Sequence, residues 1–326
     1  MKRNRLLLLL VCFIVFLTSC ASSQKYPNRP VELVIPFSAG NDSDIFARQF
    51  ASIASEYLGQ SITCINISGD QTNEAIKYVY EKPADGYTIM EITPSVLLSD
   101  MQSIKRVEDK KASSSNPVLS TEIIFRDEFE PLLKVQSDIQ IFGVSMESQF
   151  KSIEELLDYA KAHPGELTIG GVSPKGLDEY IARGFAKEAG IEWKYVSYSS
   201  SDKALEALAN GELDVYQDKM IRFLSLAQSD EIKPLVVLHD EQIDVLGLSE
   251  CPASAEIGIP FTQGSWRGFV IKKGTPQDIK DKLIQSLKES YESTKYTGIS
   301  EKNLANIRDG YLEADEWRIE WDKEYE

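Results

Sequence analysis

Val31-Glu32-Leu33-Val34-Ile35-Pro36-Phe37-Ser38-Ala39-Gly40-Asn41-Asp42-Ser43 is the stretch on which the fold turns. Residues 31–37, apolar but for Glu32, read as a buried strand. The small and polar run from Ser38 to Ser43 then turns the chain into a helix with Phe46, Phe50, Ile53, Ala54, Tyr57 and Leu58 at helical spacing. Gly59 stops that helix, since only glycine takes a left-handed cap without steric cost.

Working outward, Ile62 to Ile67 alternates like a strand, and Ala75, Ile76 and Val79 mark a second helix. Pro83-Ala84-Asp85-Gly86 turns the chain into a strand from Tyr87 to Ile92. Repeated β-α-β is the grammar of a mainly parallel sheet. A second series starts at Ile139 to Val144, with Ser152 and Glu155 as a capping box for a helix that closes at His163-Pro164-Gly165. There, Leu167 to Ile169 leads through Gly170-Gly171-Val172-Ser173-Pro174-Lys175-Gly176 to a helix with Leu177, Tyr180, Ile181, Gly184 and Phe185 on one face. This unit mirrors the first.

Trp193 to Tyr198, Leu213 to Tyr216 and Pro234 to Leu238 are further strands, with Asp202 capping the helix after the first of them. Two amphipathic helices, one carrying Ile279, Leu283, Leu287 and Tyr291 and one around Trp317 and Trp321, return to the first lobe. The segment from Ser103 to Asn116, charged and then serine-rich, reads as a solvated surface insertion. The expectation is an α/β protein of two lobes, each a mixed sheet flanked by helices, with a ligand cleft between them. The first lobe is expected over 26–136 plus 240–326 and the second over 137–239.

Lys2, Arg3 and Arg5 precede an apolar run from Leu6 to Leu17, shorter than the ~20 residues a helix needs to span a bilayer. The run ends in Leu17-Thr18-Ser19-Cys20, which resembles a bacterial lipobox. Residues 1–19 are therefore expected to be a lipoprotein signal, Cys20 the acylated residue and 20–25 a tether, which gives an exported protein anchored to the membrane through lipid. Loss of the three signal cations takes the formal net charge from -16 to about -19. Such an acidic chain is a poor partner for nucleic acid, and an anionic ligand would need local positive potential from backbone amides or a few cations. Cys64 and Cys251 remain in the mature chain, where an exported protein permits a disulfide as readily as two buried thiols.

Catalytic chemistry finds little support. A serine hydrolase needs a histidine base, and the two histidines, His163 and His239, fall at a helix end and in a charged loop. Gly171-Val172-Ser173-Pro174-Lys175 has Lys where a nucleophile elbow needs its second glycine. No His/Cys cluster suggests a metal, Asn41-Asp42-Ser43-Asp44 lacks calcium-loop spacing, and neither nucleotide fingerprint is present, so no cofactor is expected. What remains is two strand-to-helix loops of small residues at helix N-termini, places where free N–H groups and the helix dipole favour an anion.

Other motifs accumulate in a recognisable order. Tyr26-Pro27-Asn28-Arg29-Pro30 leads to Val34-Ile35-Pro36-Phe37-Ser38-Ala39-Gly40, then Asp44 to Arg48 and Asp85-Gly86-Tyr87-Thr88. Ala160-Lys161-Ala162-His163-Pro164-Gly165-Glu166-Leu167-Thr168, Gly211-Glu212-Leu213-Asp214-Val215, Ala255-Glu256-Ile257-Gly258-Ile259-Pro260 and Gly274-Thr275-Pro276 continue it over nearly the whole mature chain. This resembles the substrate-binding proteins of tripartite tricarboxylate transporters, the Bug family. The resemblance implies a Venus-flytrap fold with two crossover strands, no enzymatic activity, and a small carboxylic acid held in the cleft by a monomer that delivers it to multi-span permease subunits.

By the same resemblance the ligand loops are Phe37, Ser38, Ala39, Gly40, Asn41, Asp42 and Ser43 in one lobe and Ser173, Lys175, Gly176 and Leu177 in the other. Tyr198, between Ser197 and Ser199, and Asp218, after the Asp214-Val215 strand, match further site positions. Asn41 and Asp42 stand where the family has glycines, Ile67-Ser68-Gly69-Asp70 replaces its Asn-Arg-Pro-Gly turn, and Leu177-Asp178-Glu179-Tyr180 replaces its Ser-x-x-His. An acidic Asp42 opposes a carboxylate, so Lys175 and Arg267 are the candidates to restore positive potential. Alternatives are a ligand sensor for a membrane receptor on the same fold and, well behind it, a cleft hydrolase.

Overall fold

The structure, a computed structural model, describes residues 25–69, 72–113, 123–172, 174–245 and 247–325. The expected signal, Cys20, most of the tether and Ser173 lie outside them. In chain order the first series is β1 (Val31–Ile35), α1 (Asp42–Leu58), β2 (Ile62–Asn66), α2 (Asn73–Tyr80), β3 (Thr88–Ile92), α3 (Pro94–Ser113), α4 (Phe125–Glu128) and β4 (Phe129–Ser137). The second is β5 (Gln140–Ser145), α5 (Ile153–Ala162), β6 (Thr168–Val172), α6 (Leu177–Ala189), β7 (Lys194–Tyr198), α7 (Ser201–Ala209), β8 (Val215–Lys219), α8 (Met220–Gln228) and β9 (Ile232–Val237). The chain ends with β10 (Trp266–Lys272), α9 (Gln277–Tyr291), α10 (Thr294–Lys302), β11 (Tyr311–Glu313) and α11 (Ala314–Glu324).

These strands form two mixed sheets, a six-stranded one in the order β11-β4-β10-β3-β1-β2 and a five-stranded one in the order β7-β6-β8-β5-β9. β1 runs parallel to β2 and β3, while β10 is antiparallel to β3 and β4. The period-2 geometry of β1 sends Val31, Leu33 and Ile35 to one face, with Phe46 and Phe50 of α1, and Val34 to the other, with Trp317 and Trp321 of α11. A strand buried on both faces reads as the nearly continuous apolar run seen in the sequence. The second sheet is likewise covered on both sides, by Phe185 and Ile181 of α6 on one face and Phe223 and Leu224 of α8 on the other.

The caps are those expected, with two exceptions. Asn41 accepts from Asp44 N at the start of α1, Gly59 ends it at φ +75, and Ser152 accepts from Glu155 N. Glu155 reaches one residue further back than a capping box requires, to Lys151 N, and Ser200 rather than Asp202 caps α7.

Two expectations are corrected. The surface insertion is helix α3 as far as Ser113, because Val96, Leu97, Asp100, Ser103 and Val107 form one buried face. Two of those five are polar, which hides the periodicity: Asp100 accepts from Phe125 N and Arg126 N, and Ser103 donates to Ser99 O. The second lobe does not end at 239, since Ile243, Leu248 and Cys251 pack with β8 and α8, and Ile259 and Phe261 with β6 and α6. The return to the first sheet therefore comes just before β10. Of the two states the sequence leaves open for Cys64 and Cys251 the structure has free thiols, Cys64 partly buried against the first-lobe core and Cys251 buried in the second, and burial pushes them up to about 11 and about 12.

The two crossovers meet backbone to backbone. Asp138 N donates to Ser265 O at 2.6 Å, and a Cβ on Gly264 would lie 2.1 Å from Asp138 O. Arg308, from the segment after α10, donates to Thr262 O at 2.8 Å and to Leu238 O, tying that segment to the second crossover.

Candidate functional site

The N-terminus of α1 and the β6–α6 loop approach each other across the gap between the sheets. They bound a cavity of about 340 Å³ lined by Phe37, Ser38 and Asn41 from the first lobe and by Pro174, Lys175 and Gly176 from the second. Its remaining wall was not foreseen: Ser68, Gly69 and Thr72 from the β2–α2 turn, and Ser95, Leu98, Ser99 and Gln102 from α3. The signal for the α3 wall lay in the sequence, for Ser95, Ser99 and Gln102 recur at helical spacing just after a strand.

Several loop amides are already engaged. Gly40 N donates to Asp44 Oδ2 at 2.9 Å, and Asp44 also accepts from Arg48 Nε at 2.8 Å and Asn66 Nδ2 at 2.8 Å. The hydrogen bond from Arg48 is the main reason the Asp44 carboxyl sits at about 2. In the second loop Val172 N donates to Asp178 Oδ2 and Lys175 N to Glu179 Oε2, both at 2.7 Å. Burial pushes the Asp178 carboxyl up to about 6. Lys175 itself has φ +57, a conformation that turns its backbone sharply at the cavity mouth.

Two polar contacts cross the cleft here. Gln102 Nε2 donates to Lys175 O at 3.2 Å, and Lys219 Nζ lies 3.0 Å from Asp42 Oδ2. The ammonium of Lys219 holds the Asp42 carboxyl below its ordinary range, so the acid that opposes an anionic ligand in the sequence is neutralised by the other lobe.

Asp42 and Arg267 line a second cavity of about 240 Å³, with Lys219, Asp138 and the ring of Phe46. Arg267 is not a cation waiting for a ligand. It is 4% exposed, Nη1 lies 2.9 Å from Asp138 Oδ2, and Nε lies 3.7 Å from Glu91 Oε1. Burial disfavours the Asp138 anion, but Arg267 and Lys219 outweigh it and its carboxyl lies below the ordinary range. Glu91, wholly buried and without a hydrogen bond to either oxygen among the described residues, is pushed up by burial to about 8 against the pull of Arg267, Lys219 and the Ser43 hydroxyl.

The other expected residues lie nearby. Ala39, Gly40 and Ser43 complete the first loop, and Leu177 opens α6. Asp218 lies on β8 rather than after a strand, because Asp214 accepts from Thr168 N and Oγ1 at 2.8 Å and delays the ladder to Val215. Asp218 takes the hydroxyl of Tyr216 and lies 3.4 Å from Arg222, and neither it nor Tyr198 lines either cavity. His163 stacks on Tyr159, and His239 Nδ1 contacts Glu241 O. Among the described residues no group of His, Cys, Asp and Glu is arranged to hold a metal ion, and no helix is long and apolar enough to cross a membrane.

A family model described as "Tripartite tricarboxylate transporter family receptor" matches residues 46–307. Protein BugT of Bordetella pertussis (strain Tohama I) is 23% identical over 296 residues, covering 90% of this chain and 86% of the relative. A TctC solute binding protein from Polaromonas, solved without ligand, superposes with a TM-score of 0.75 at 19% identity, over 92% of this chain and 96% of that one. Rpa4515 of R. palustris, solved with adipate, has a TM-score of 0.69 at 26% identity, over 92% and 95%. The matched family is one of substrate-binding receptors, not enzymes, and the Polaromonas neighbour is a solute-binding protein.

Proposed function

The chain belongs to the tripartite tricarboxylate transporter receptor family of periplasmic solute-binding proteins, and on that premise we propose that it captures a small organic acid between its lobes, as a monomer tethered through Cys20, and delivers it to the membrane permease. The observation that carries this reading is the 340 Å³ cavity, bounded by a helix N-terminus of one lobe and a loop of the other, with Lys175 the one charged residue among the described residues that line it. Helix-end amides and one ammonium suit a carboxylate. Both lobes line the cavity, so a ligand that satisfies both favours the closed form. The adipate of the R. palustris structure is an acid of this class.

Gly176 tests the reading. It lines the cavity and caps α6 at φ -95, a conformation any residue adopts. Gly176→Leu is expected to keep the wild-type circular dichroism and to weaken the best-bound acid at least about tenfold in calorimetric titration, by filling the space the ligand needs. Unchanged affinity would take the β6–α6 loop out of the site. The anchor is tested separately: Cys20→Ala is expected to move the protein from the membrane pellet to the soluble fraction.

A further inference from the structure

We propose that Lys219 is a positioning residue for closure, an ammonium that holds the two lobes together through Asp42 and so maintains a closed population without any solute. β8 fixes Lys219 in the second lobe, where it lies opposite Gln140 in the antiparallel ladder to β5. Its Nζ has two acids in reach, Asp42 Oδ2 at 3.0 Å and Asp138 Oδ2 at 3.6 Å. They answer differently to a hinge motion. Asp138 stands in the crossover between β4 and β5, two residues before the ladder partner of Lys219, so opening cannot carry the two far apart. Asp42 opens α1 in the other lobe and leaves with it. Among the described residues this is the one ion pair that joins a side chain of the first lobe to one of the second.

The pair stands beside the solute cavity rather than in it. Asp42 and Lys219 line the 240 Å³ cavity, together with Ile45 of one lobe and Ile221 of the other, and neither charged residue lines the 340 Å³ one. The Asp42 side chain is 77% exposed and that of Lys219 22%. An ion pair so open to water moves an equilibrium by up to about fivefold and weakens as salt screens it. Gln102, in the wall of the 340 Å³ cavity, adds a second bond across the cleft through Lys175 O. Contacts made by protein groups alone keep the closed form within reach of the open one, and a solute then selects a form already present. The closed population does not depend on which solute is captured.

Spin labels at Ser61 and Glu192 test this in the mature unacylated chain with Cys64→Ser and Cys251→Ala. Both labelled residues are exposed and stand just before β2 and β7, at the ends of the lobes away from the loops that bound the cavity. Pulsed electron resonance then reads open and closed forms as two distances. Without solute and at low ionic strength, Lys219→Gln is expected to lower the closed-to-open ratio by about two- to fivefold, Asp42→Asn to share that loss, and the double variant to lose no more than either alone. Salt at about 1 M should bring the parent to the level of the variants. A parent with no closed population, or a ratio that Lys219→Gln leaves unmoved, would overturn the inference. So would a loss in Lys219→Gln that Asp42→Asn does not share, since the lysine would then act through Asp138 alone. The ratio is read without solute, so failure of every acid to bind would remove the capture reading and leave this one standing.

Discussion

Arg267→Met is expected to lower the unfolding free energy by about 3–5 kcal/mol, the cost of removing one partner from a buried ion pair and stranding the other. Arg267 is the guanidinium between Asp138 and Glu91. Asp138, held as an anion, loses its 2.9 Å partner and keeps the more distant Lys219 at 3.6 Å and the amide of Gln136, whereas Glu91, raised to about 8, is largely protonated at neutral pH and is stranded as a charge only above it. Urea unfolding at pH 9, where Glu91 of the wild type is ionised, of the single variants and of Glu91→Gln/Arg267→Met measures the coupling, and there the double variant is expected to be more stable than Arg267→Met alone. Equal stability of the two would show that Glu91 does not depend on the arginine.

Glu91 also gives the wild type a pH signature. Its carboxyl is raised from 4.5 to about 8 in the folded chain, so between those values the folded state binds more protons than the unfolded one. Stability from this group is full at acid pH and declines as pH rises through that window. Urea midpoints at pH 5 and pH 8 should differ less in Glu91→Gln than in wild type.

Gly264→Ala is expected to cost up to about 3 kcal/mol and to weaken ligand binding from a distance. The added methyl would lie 2.1 Å from Asp138 O, and that neighbour is backbone, which cannot rotate away. Asp138 N and Ser265 O bond the two crossovers at this point, so forcing them apart changes the angle at which the lobes close. Thermal unfolding and affinity should both fall, although Gly264 is absent from the 340 Å³ cavity. A drop in midpoint with unchanged affinity would mean that the crossovers do not set closure.

What was legible in the sequence was whatever depends on near neighbours. The β1–α1 unit showed itself through a two-sided buried strand, the Asn41 cap and the spacing of Phe46, Phe50, Ile53, Ala54 and Leu58, all of them buried; Tyr57, assigned to the same face, is 37% exposed. Both loops that bound the cavity were found by the same local signals. The pairing of Arg267 with Asp138 joins residues 129 apart, and nothing near either one indicates it. Lys219 was missed for the same reason, since its value to Asp42 exists only when the second lobe faces the first. The segment 240–261 was assigned to the wrong lobe because its scattered apolar residues, such as Ile243, Leu248 and Ile259, have no period to betray which sheet they cover.

Capture of an acid in the cleft is tested most directly by the thermal unfolding midpoint of the mature, unacylated chain against small mono- and dicarboxylic acids, amino acids and neutral amides, in wild type and Lys175→Gln. A ligand that binds the native state alone at a hundred times its Kd stabilises by about 2.7 kcal/mol, a shift of a few degrees. At least one acid is expected to raise the wild-type midpoint and to lose most of that effect in Lys175→Gln. A midpoint raised only by neutral or cationic compounds, or by none of the panel, would contradict the account.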